Sequence, residues 1–209
     1  MTRLYLARHG QVENHHEFRY NGHTDVDITE LGLKQMNQLA DFFTGKKITA
    51  LYSSDLMRSV KGVEIIGKAL TLPFEKLPEL RELHLGRWEG LTRSEAIELY
   101  PDEAHMNFSD LAKNKLQGGE SFQELSTRVL PVIEKIVKAH AGEEVCIIAH
   151  GGVNRIILAE AIGMPLENFF RIEQDYGGLN IIDFFSDGNT VVKMLNSGPN
   201  QKMGETFIY

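Results

Sequence analysis

The feature that most constrains the fold of this chain is an apolar run, VCIIA at residues 145–149, that ends directly at His150 and two glycines. An uninterrupted apolar run of this length is typical of a strand that is buried on both faces of a sheet. Runs at residues 4–7 and 48–52 end in the same abrupt way at polar residues. Segments of helical periodicity separate these runs, and this alternation predicts an α/β protein.

The segments between the runs carry recognisable helix signals. We predict helices after a cap at Thr29, over about 56–67, after the capping box of Ser121 and Glu124, and from about Val153 to Gly163. The runs at 179–185 and 190–195 flank a turn sequence and predict a hairpin. Together these elements predict a three-layer α/β/α sandwich with a mostly parallel central sheet.

The length of 209 residues is typical of one domain, so we expect a single domain over residues 1–209. A polar, irregular stretch at about 100–120, which includes Phe108, precedes the best-marked helix. Two interpretations of this stretch remain open. It is either a lid that shapes a ligand pocket or a plain helical insertion.

The charge balance, 22 Lys and Arg against 29 Asp and Glu, gives a formal net charge of −7. This charge argues against nucleic acid or an anionic membrane as a partner. The chain has no apolar run of the ~18 residues that a membrane span needs, and its first residues do not resemble a signal peptide. Because the one cysteine, Cys146, cannot form an internal disulfide and lies in an apolar run, we expect it in the core and the protein in the cytoplasm.

Polar residues at the ends of the predicted strands are the candidates for chemistry. Arg8 and His9 follow the first run, Arg58 lies just after the second, and His150 follows the third. Ligands of α/β proteins bind where the carboxyl ends of the strands meet. Two guanidinium groups and two imidazoles there would bind a phosphoryl group, which histidine also accepts covalently. A structural role for each histidine is the simpler alternative, and the pairing with arginines favours the functional one.

The stretch at 80–90 offers two carboxylates that could protonate a departing oxygen, Glu82 and Glu89. Spacing alone does not choose between them. We expect surface or pocket-rim positions for four histidines that lack metal-ligand spacing: His15, His16, His23 and His84. We therefore expect no metal and no cofactor. Trp88 suits the rim of a site and the core equally.

Taken in order along the chain, the motifs resemble those of the histidine phosphatase (phosphoglycerate mutase-like) superfamily. The resemblance runs from residue 3 to about residue 197 and begins with the signature Arg8-His9-Gly10. The further motifs are Asn14, GHTD at 22–25, LG at 31–32, SSDLMR at 53–58, residues 80–90, GGES at 118–121 and HGG at 150–152. One Arg-His-Gly tripeptide would be weak evidence, whereas the ordered set is specific.

The resemblance implies the fold of the family and a phosphohistidine at His9. The residues that it implies in binding the transferred phosphoryl group are Arg8, Asn14, Arg58, His150 and Gly151. Glu82 matches the proton donor of the family, which implies a structural role for Glu89. No acidic residue follows His150, so the chain does not resemble the acid-phosphatase branch.

Within the superfamily the chain is most similar to the α-ribazole phosphatase branch. The features that carry this similarity are Asn14, GRWEG at 86–90, GESF at 119–122, IGMP at 162–165 and LNS at 195–197. The implied function is hydrolysis of α-ribazole 5′-phosphate, a small phosphorylated metabolite of the cobalamin pathway. A broad-specificity phosphatase, a phosphoglycerate mutase and a non-catalytic phosphate-binding protein remain alternatives, and a homodimer remains open.

Three positions depart from the pattern of the family. Gly62 stands where threonine is frequent, and glycine inside a helix costs about 1 kcal/mol relative to alanine. Gln11 stands where many members have glutamate. The sequence SVK at 59–61 replaces a commoner one that begins with alanine, and we interpret Ser59 and its neighbours as a surface variation.

Overall fold

The computed structural model of the protein describes residues 1–106 and 110–198. One six-stranded sheet lies at its centre, with strand order β3-β2-β4-β1-β5-β6. The strands are β1 Thr2–Arg8, β2 Ile48–Ser53, β3 Phe74–Lys76, β4 Glu144–Ala149, β5 Leu179–Phe184 and β6 Thr190–Ser197. The pairs within β1 to β4 are parallel, whereas β5 runs antiparallel to both β1 and β6. The mostly parallel sheet and the hairpin are therefore confirmed.

Five α-helices lie in the described ranges. They are α1 Glu30–Phe43, α2 Met57–Leu70, α3 Arg93–Leu99, α4 Phe122–Ala139 and α5 Gly151–Ala161. The Thr29 side chain caps α1 by accepting from the Gly32 N–H, and Ser121 forms both hydrogen bonds of the predicted capping box with Glu124. None of these helices is long and apolar enough to cross a membrane.

Alternate side chains of the central strands enter two separate cores, one on each face of the sheet. On one face, Cys146 of β4 packs in the same cluster as Met36 of α1, and burial raises the pKa of its thiol. On the other face, the neighbouring Ile147 belongs to a cluster with Val129 of α4 and Ile156 of α5. The helix pairs α1–α2 and α4–α5 therefore cover opposite faces, and the predicted three-layer α/β/α sandwich is confirmed.

The strand β3 and the helix α3 were not predicted from the sequence, and the helix α5 begins earlier than predicted. β3 spans only three residues, Phe74–Lys76, which is too short to show a hydrophobic period. α3 is introduced by a second capping box, in which Thr92 and Glu95 exchange hydrogen bonds. α5 begins at Gly151 and not at Val153, because the helix starts directly after the last residue of the strand and His150.

The described part of the stretch at about 100–120 forms two short 3₁₀ turns, Pro101–Glu103 and Asp110–Ala112. Leu111 and Leu116 are buried in the same core as α4 and α5, so this part of the stretch is anchored to the domain. Phe108 lies outside the described residues. The role of the stretch as a lid stays a prediction.

Gly62 has a packing reason that the sequence did not show. It lies on the buried face of α2, and a Cβ atom there would lie 2.7 Å from Sδ of Met36 and 3.2 Å from Cγ2 of Ile148. A side chain at this position would push α2 away from α1 and from the central strand β4. Close packing at Gly62 therefore offsets the lower helix propensity of glycine.

Candidate active site

The carboxyl ends of the central parallel strands lie side by side at one edge of the sheet. Arg8 at the end of β1 is in register with Ala149 at the end of β4, and β2 pairs with the other side of β4. The His9 backbone N–H donates to the Ala149 carbonyl at 3.0 Å. Because His9 and His150 each follow one of these paired strands, the fold brings the two imidazoles to the same edge.

The His9 ring is buried and is oriented by its neighbour. Its Nδ1 lies 2.8 Å from the Gly10 carbonyl oxygen, which can only accept, so the ring donates through Nδ1 and keeps a lone pair on Nε2. Gly10 allows a close chain crossing, since a Cβ atom there would lie 2.4 Å from the Gly32 carbonyl oxygen. Burial, followed by the charges of Arg58 and Arg8, lowers the pKa of His9 well below 6.5. The ring is therefore neutral at neutral pH, as a nucleophile must be.

His150 is completely buried and lies beside His9, with the two ring centroids 5.1 Å apart. Its Nε2 lies 2.7 Å from Oγ of Ser54. Its Nδ1 is buried and has no hydrogen-bond partner among the described residues. Burial, followed by the charge of Arg58, lowers the pKa of His150 well below 6.5. Because buried polar atoms without a partner are rare, Nδ1 is a candidate contact for a ligand.

Two guanidinium groups border the imidazoles. Arg58, in the first turn of α2, is 1% exposed and donates to the carbonyl oxygens of Gly22 at 2.6 Å and Thr24 at 2.8 Å. Arg8 stacks on Tyr176, with 3.9 Å from Cζ to the ring centroid, and its buried Nε has no partner within the described part of the chain. Neither arginine forms an ion pair with a described carboxylate, so both charges remain for an anion.

The two candidate carboxylates, Glu82 and Glu89, differ in their hydrogen-bond partners. Both oxygens of Glu82 accept from the Gly152 N–H, at 3.1 and 3.0 Å, which places Glu82 against the first turn of α5. A Cβ atom on Gly152 would lie 2.3 Å from Oε1 of Glu82. Glu89 instead accepts from the backbone N–H groups of His23 at 2.8 Å and Leu85 at 3.1 Å. Glu89 therefore holds loop backbone together, whereas Glu82 lies beside the helix that begins directly after His150.

A cleft of about 790 Å³ opens beside Arg8 and Tyr176. Asn14 lines it and exchanges two side-chain hydrogen bonds with Asn21, at 2.6 and 3.0 Å. Gly151 lies behind Arg8, because a Cβ atom there would be 3.6 Å from the Arg8 Nε. The cleft therefore adjoins the cluster of imidazoles and guanidinium groups, and a leaving group attached to a bound phosphoryl group would occupy it.

The motifs that converge at this edge of the sheet have counterparts in known proteins. The model of the histidine phosphatase superfamily (branch 1) matches residues 4–197. The chain belongs to this superfamily. Its resemblance to histidine phosphatases, predicted from the ordered motifs, is thereby confirmed.

Individual relatives of this superfamily member differ in length and in the substrate for which they are named. A bifunctional protein of Mycobacterium tuberculosis is 31% identical over 93% of this chain and 54% of its own length, so the chain spans about half of that relative. The metal-independent phosphoserine phosphatase of Arabidopsis thaliana is 37% identical over 75% of this chain and 67% of its own length. The α-ribazole phosphatase structure from Shigella flexneri matches with a TM-score of 0.86 and 26% identity, over 93% of this chain and 96% of that one.

Two arginines of this superfamily member were missed by sequence reasoning. Arg155 of α5 lies at the site, because a Cβ atom on Gly151 would be 3.1 Å from its terminal nitrogen. Its position four residues after Gly151, one helical turn along the same face, was the signal that could have found it. Arg128 of α4 donates to the backbone carbonyl oxygens of Arg81 at 3.0 Å and Glu82 at 3.2 Å. No local pattern identifies Arg128, since these partners are 46 and 47 positions away in the chain.

Three further histidines, His15, His23 and His84, lie around the site. His23 donates from Nε2 to the Glu82 carbonyl oxygen at 2.8 Å, and its ring centroid lies 4.6 Å from that of His84. His15 lines the cleft, whereas Trp88 is buried in the core. Within residues 1–106 and 110–198, no group of three or more His, Cys, Asp or Glu residues is arranged to hold a metal ion.

We expect the free energy of unfolding of this superfamily member to fall as the pH is lowered below 6.5. His9 and His150 have folded-state pKa values well below 6.5, so in that range the unfolded chain binds protons that the folded protein does not. Between its folded and unfolded pKa, each histidine contributes a slope of up to about 1.4 kcal/mol per pH unit. This stability is fully present above 6.5.

Urea unfolding from about pH 7.5 to about pH 5 measures this slope. The His150→Gln variant removes one buried imidazole and should show a shallower dependence than the wild type. His16→Gln removes an exposed imidazole and serves as the control. Equal slopes in the wild type and His150→Gln would contradict the buried, neutral state of His150.

Proposed function

We propose that the protein is a phosphoric monoester hydrolase that works through a phosphohistidine at His9. The observation that carries the proposal is the meeting, at one sheet edge, of two neutral imidazoles and two guanidinium groups that form no ion pair with a described carboxylate. Two buried donors there, Nε of Arg8 and Nδ1 of His150, have no protein partner among the described residues. An anion with several oxygen atoms satisfies this set of groups, and a phosphoryl group fits it best.

In the first step, Nε2 of His9 attacks phosphorus and forms an N–P bond while the bond from phosphorus to the leaving oxygen breaks. Arg8 and Arg58 hold the phosphoryl oxygens and offset the charge that develops on them. Glu82 gives its proton to the departing oxygen, so that the product leaves as a neutral alcohol. The hydrogen bond from Nδ1 of His9 to Gly10 keeps Nε2 directed to the reaction throughout.

In the second step, a water molecule attacks the phosphorus of phospho-His9. Glu82, now a carboxylate, takes a proton from the water as the new P–O bond forms and the N–P bond breaks. Inorganic phosphate leaves, and His9 returns to its neutral state with the lone pair on Nε2. Glu82 thus acts as acid in one step and as base in the other.

The substrate that we propose is α-ribazole 5′-phosphate, a cytoplasmic metabolite of the cobalamin pathway. The cleft beside Arg8 presents three aromatic side chains, Phe18, Tyr20 and Tyr176, to a leaving group. Phe18 is 84% exposed and has a φ of 52°, a conformation that non-glycine residues rarely adopt. An exposed ring at the mouth of a cleft, carried on backbone of this unusual conformation, suits stacking on the planar base of a nucleotide. The Shigella flexneri relative supports the same substrate.

Phosphoserine is a second candidate substrate, because one residue of the cleft suits a carboxylate. Arg93 is exposed, lines the cleft and forms no ion pair with a described carboxylate; its guanidinium contacts the Met106 carbonyl only at 3.5 Å. A substrate that carries a carboxylate next to its phosphate ester would offer Arg93 a partner. The Arabidopsis thaliana relative supports this alternative.

A substrate panel with two cleft variants separates these candidates. We expect kcat/KM to be highest for α-ribazole 5′-phosphate, and Phe18→Ala to lower it roughly ten-fold through loss of stacking. Arg93→Gln should leave this substrate unaffected. If phosphoserine is the better substrate and Arg93→Gln lowers its kcat/KM while Phe18→Ala does not, the second candidate is correct.

The same panel tests the remaining functions. Isomerisation of 3-phosphoglycerate that requires a bisphosphate primer would identify a mutase. Similar kcat/KM values for many phosphate esters would identify a broad-specificity phosphatase. Binding of inorganic phosphate without turnover of any ester would overturn the hydrolase proposal and leave a non-catalytic phosphate-binding protein.

A further inference from the structure

Ser59 is not a surface residue, contrary to the interpretation of its sequence. It is completely buried in the first turn of α2, and its Oγ lies 3.3 Å from Nε2 of His150. Ser54, also completely buried, places its Oγ 2.7 Å from the same nitrogen. Two hydroxyl groups therefore converge on one atom of the second imidazole. The interpretation as a surface variation was wrong. It rested on the difference between Ser59 and the alanine common in the family, and such differences are usually found at the surface.

The hydrogen bonds of these hydroxyls determine where the His150 proton lies. Ser54 Oγ already accepts from the Leu56 N–H at 3.3 Å, so within the described residues its own proton has no acceptor other than Nε2 of His150. Among the described residues, Ser59 Oγ likewise has no hydrogen-bond partner besides that nitrogen. A buried hydroxyl proton without an acceptor is costly. The lone pair of the ring must then be on Nε2, and in the neutral ring the proton is on Nδ1.

We propose that Ser54 and Ser59 are positioning residues that hold His150 in the tautomer with its proton on Nδ1, so that Nδ1–H donates to an oxygen of the bound phosphoryl group. The opposite tautomer would turn a lone pair toward an anionic oxygen and weaken binding. The tautomer itself follows from contacts within the protein, whereas its use in binding rests on the proposed function. Ser59 gives this chain a second hydroxyl to support the state.

The tautomer is measured directly by ¹⁵N NMR of histidine-labelled protein without any substrate. The His150 signals are assigned by their loss in His150→Gln. We expect a protonated Nδ1 and an unprotonated Nε2 in the wild type, and a mixture of tautomers in the double variant Ser54→Ala/Ser59→Ala. A proton on Nε2 in the wild type, or an unchanged tautomer in the double variant, overturns the proposal.

Ser53→Ala is the matched control. Ser53 is a completely buried serine directly before Ser54, and its Oγ has no hydrogen-bond partner among the described residues. Its removal deletes a hydroxyl of the same kind without touching His150, so the tautomer should not change. Because Ser54 also accepts from the backbone at the start of α2, Ser54→Ala tests two contacts at once. Ser59→Ala removes a hydroxyl that has no second contact among the described residues, and the wild-type tautomer keeps the test decisive if variants at Ser54 fail to fold.

Inorganic phosphate tests the second half of the proposal. Its addition should move the Nδ1–H proton signal of His150 downfield, as a charge-assisted hydrogen bond does. The double variant should bind phosphate roughly ten-fold more weakly and lower kcat/KM by a similar factor, with Ser53→Ala unchanged. Phosphate binding without any shift of the Nδ1–H signal overturns the contact even if the enzyme proves active. A correct tautomer in a protein without phosphatase activity would instead indicate that the proposed function is wrong.

Discussion

Replacing His9 by alanine is expected to leave less than about a thousandth of the wild-type turnover of p-nitrophenyl phosphate, because a covalent nucleophile contributes several orders of magnitude. No other imidazole can take its place. His150 lies 5.1 Å away, centroid to centroid, but its Nε2 is occupied by Ser54, and in the inferred tautomer its Nδ1 carries the proton. Rapid quenching of the wild type with labelled substrate should also trap a phosphoprotein that is stable in base and labile in acid.

The control for this experiment is His16→Ala, which removes an exposed imidazole outside the cluster and should retain full activity. Thermal unfolding of His9→Ala shows whether the fold survives the loss of a buried ring. A folded variant with more than about a thousandth of the activity, or with a trapped phosphoprotein, would rule out His9 as the nucleophile.

Replacing Glu82 by glutamine is expected to reduce turnover of alkyl phosphates by about 10²–10⁴ and turnover of p-nitrophenyl phosphate much less. An alkoxide is a poor leaving group and needs the proton of Glu82, whereas p-nitrophenolate leaves without one. Glutamine keeps the shape of the side chain and can still accept from the Gly152 N–H, so the change isolates proton transfer. The measurement is a plot of log kcat against leaving-group pKa, which should become steeper in the variant.

Glu89→Gln is the matched control for this prediction. Glu89 accepts from the backbone of His23 and Leu85, so its replacement should lower thermal stability without changing the dependence on the leaving group. An equal loss on both classes of substrate in Glu82→Gln would show that Glu82 holds structure and does not supply the proton. A steeper plot in Glu89→Gln would assign the acid to Glu89.

The parts of the fold that were predicted correctly are those with a strong local pattern. The run at 145–149 ends at His150, and the capping box at Ser121 marks the start of α4; the structure has both where they were expected. β3 was not predicted because three residues are too few to show a hydrophobic period. α3 was not predicted because its capping box begins a helix of only seven residues. Hydrophobic runs and capping residues predict where long elements begin and end. Short elements are stabilised by contacts with residues distant in the chain, which the local sequence does not show.

The residues of the candidate site likewise fall into those that were predicted from the sequence and those that were not. His9, Arg58 and His150 were found because the end of a parallel strand is a known place for ligands and each lies at or just beyond such an end. Arg128 and Ser59 were not found, because their importance depends on partners far along the chain, at Glu82 and His150. Trp88, which suited rim and core equally, is in the core, where it shares a small cavity with Leu111 and Leu116 and packs near Tyr20.

The position of β4 in the sheet has a consequence for how the protein is made. β1 precedes the other described strands along the chain, yet its partners among the described residues are β4 and β5, which are encoded more than a hundred residues later. While the ribosome makes the intervening chain, β1 exposes an apolar, unpaired edge of the kind that aggregates. Slow elongation between residues 10 and 144 should therefore lower the yield of native protein, and a chaperone that shields an extended apolar segment should restore it.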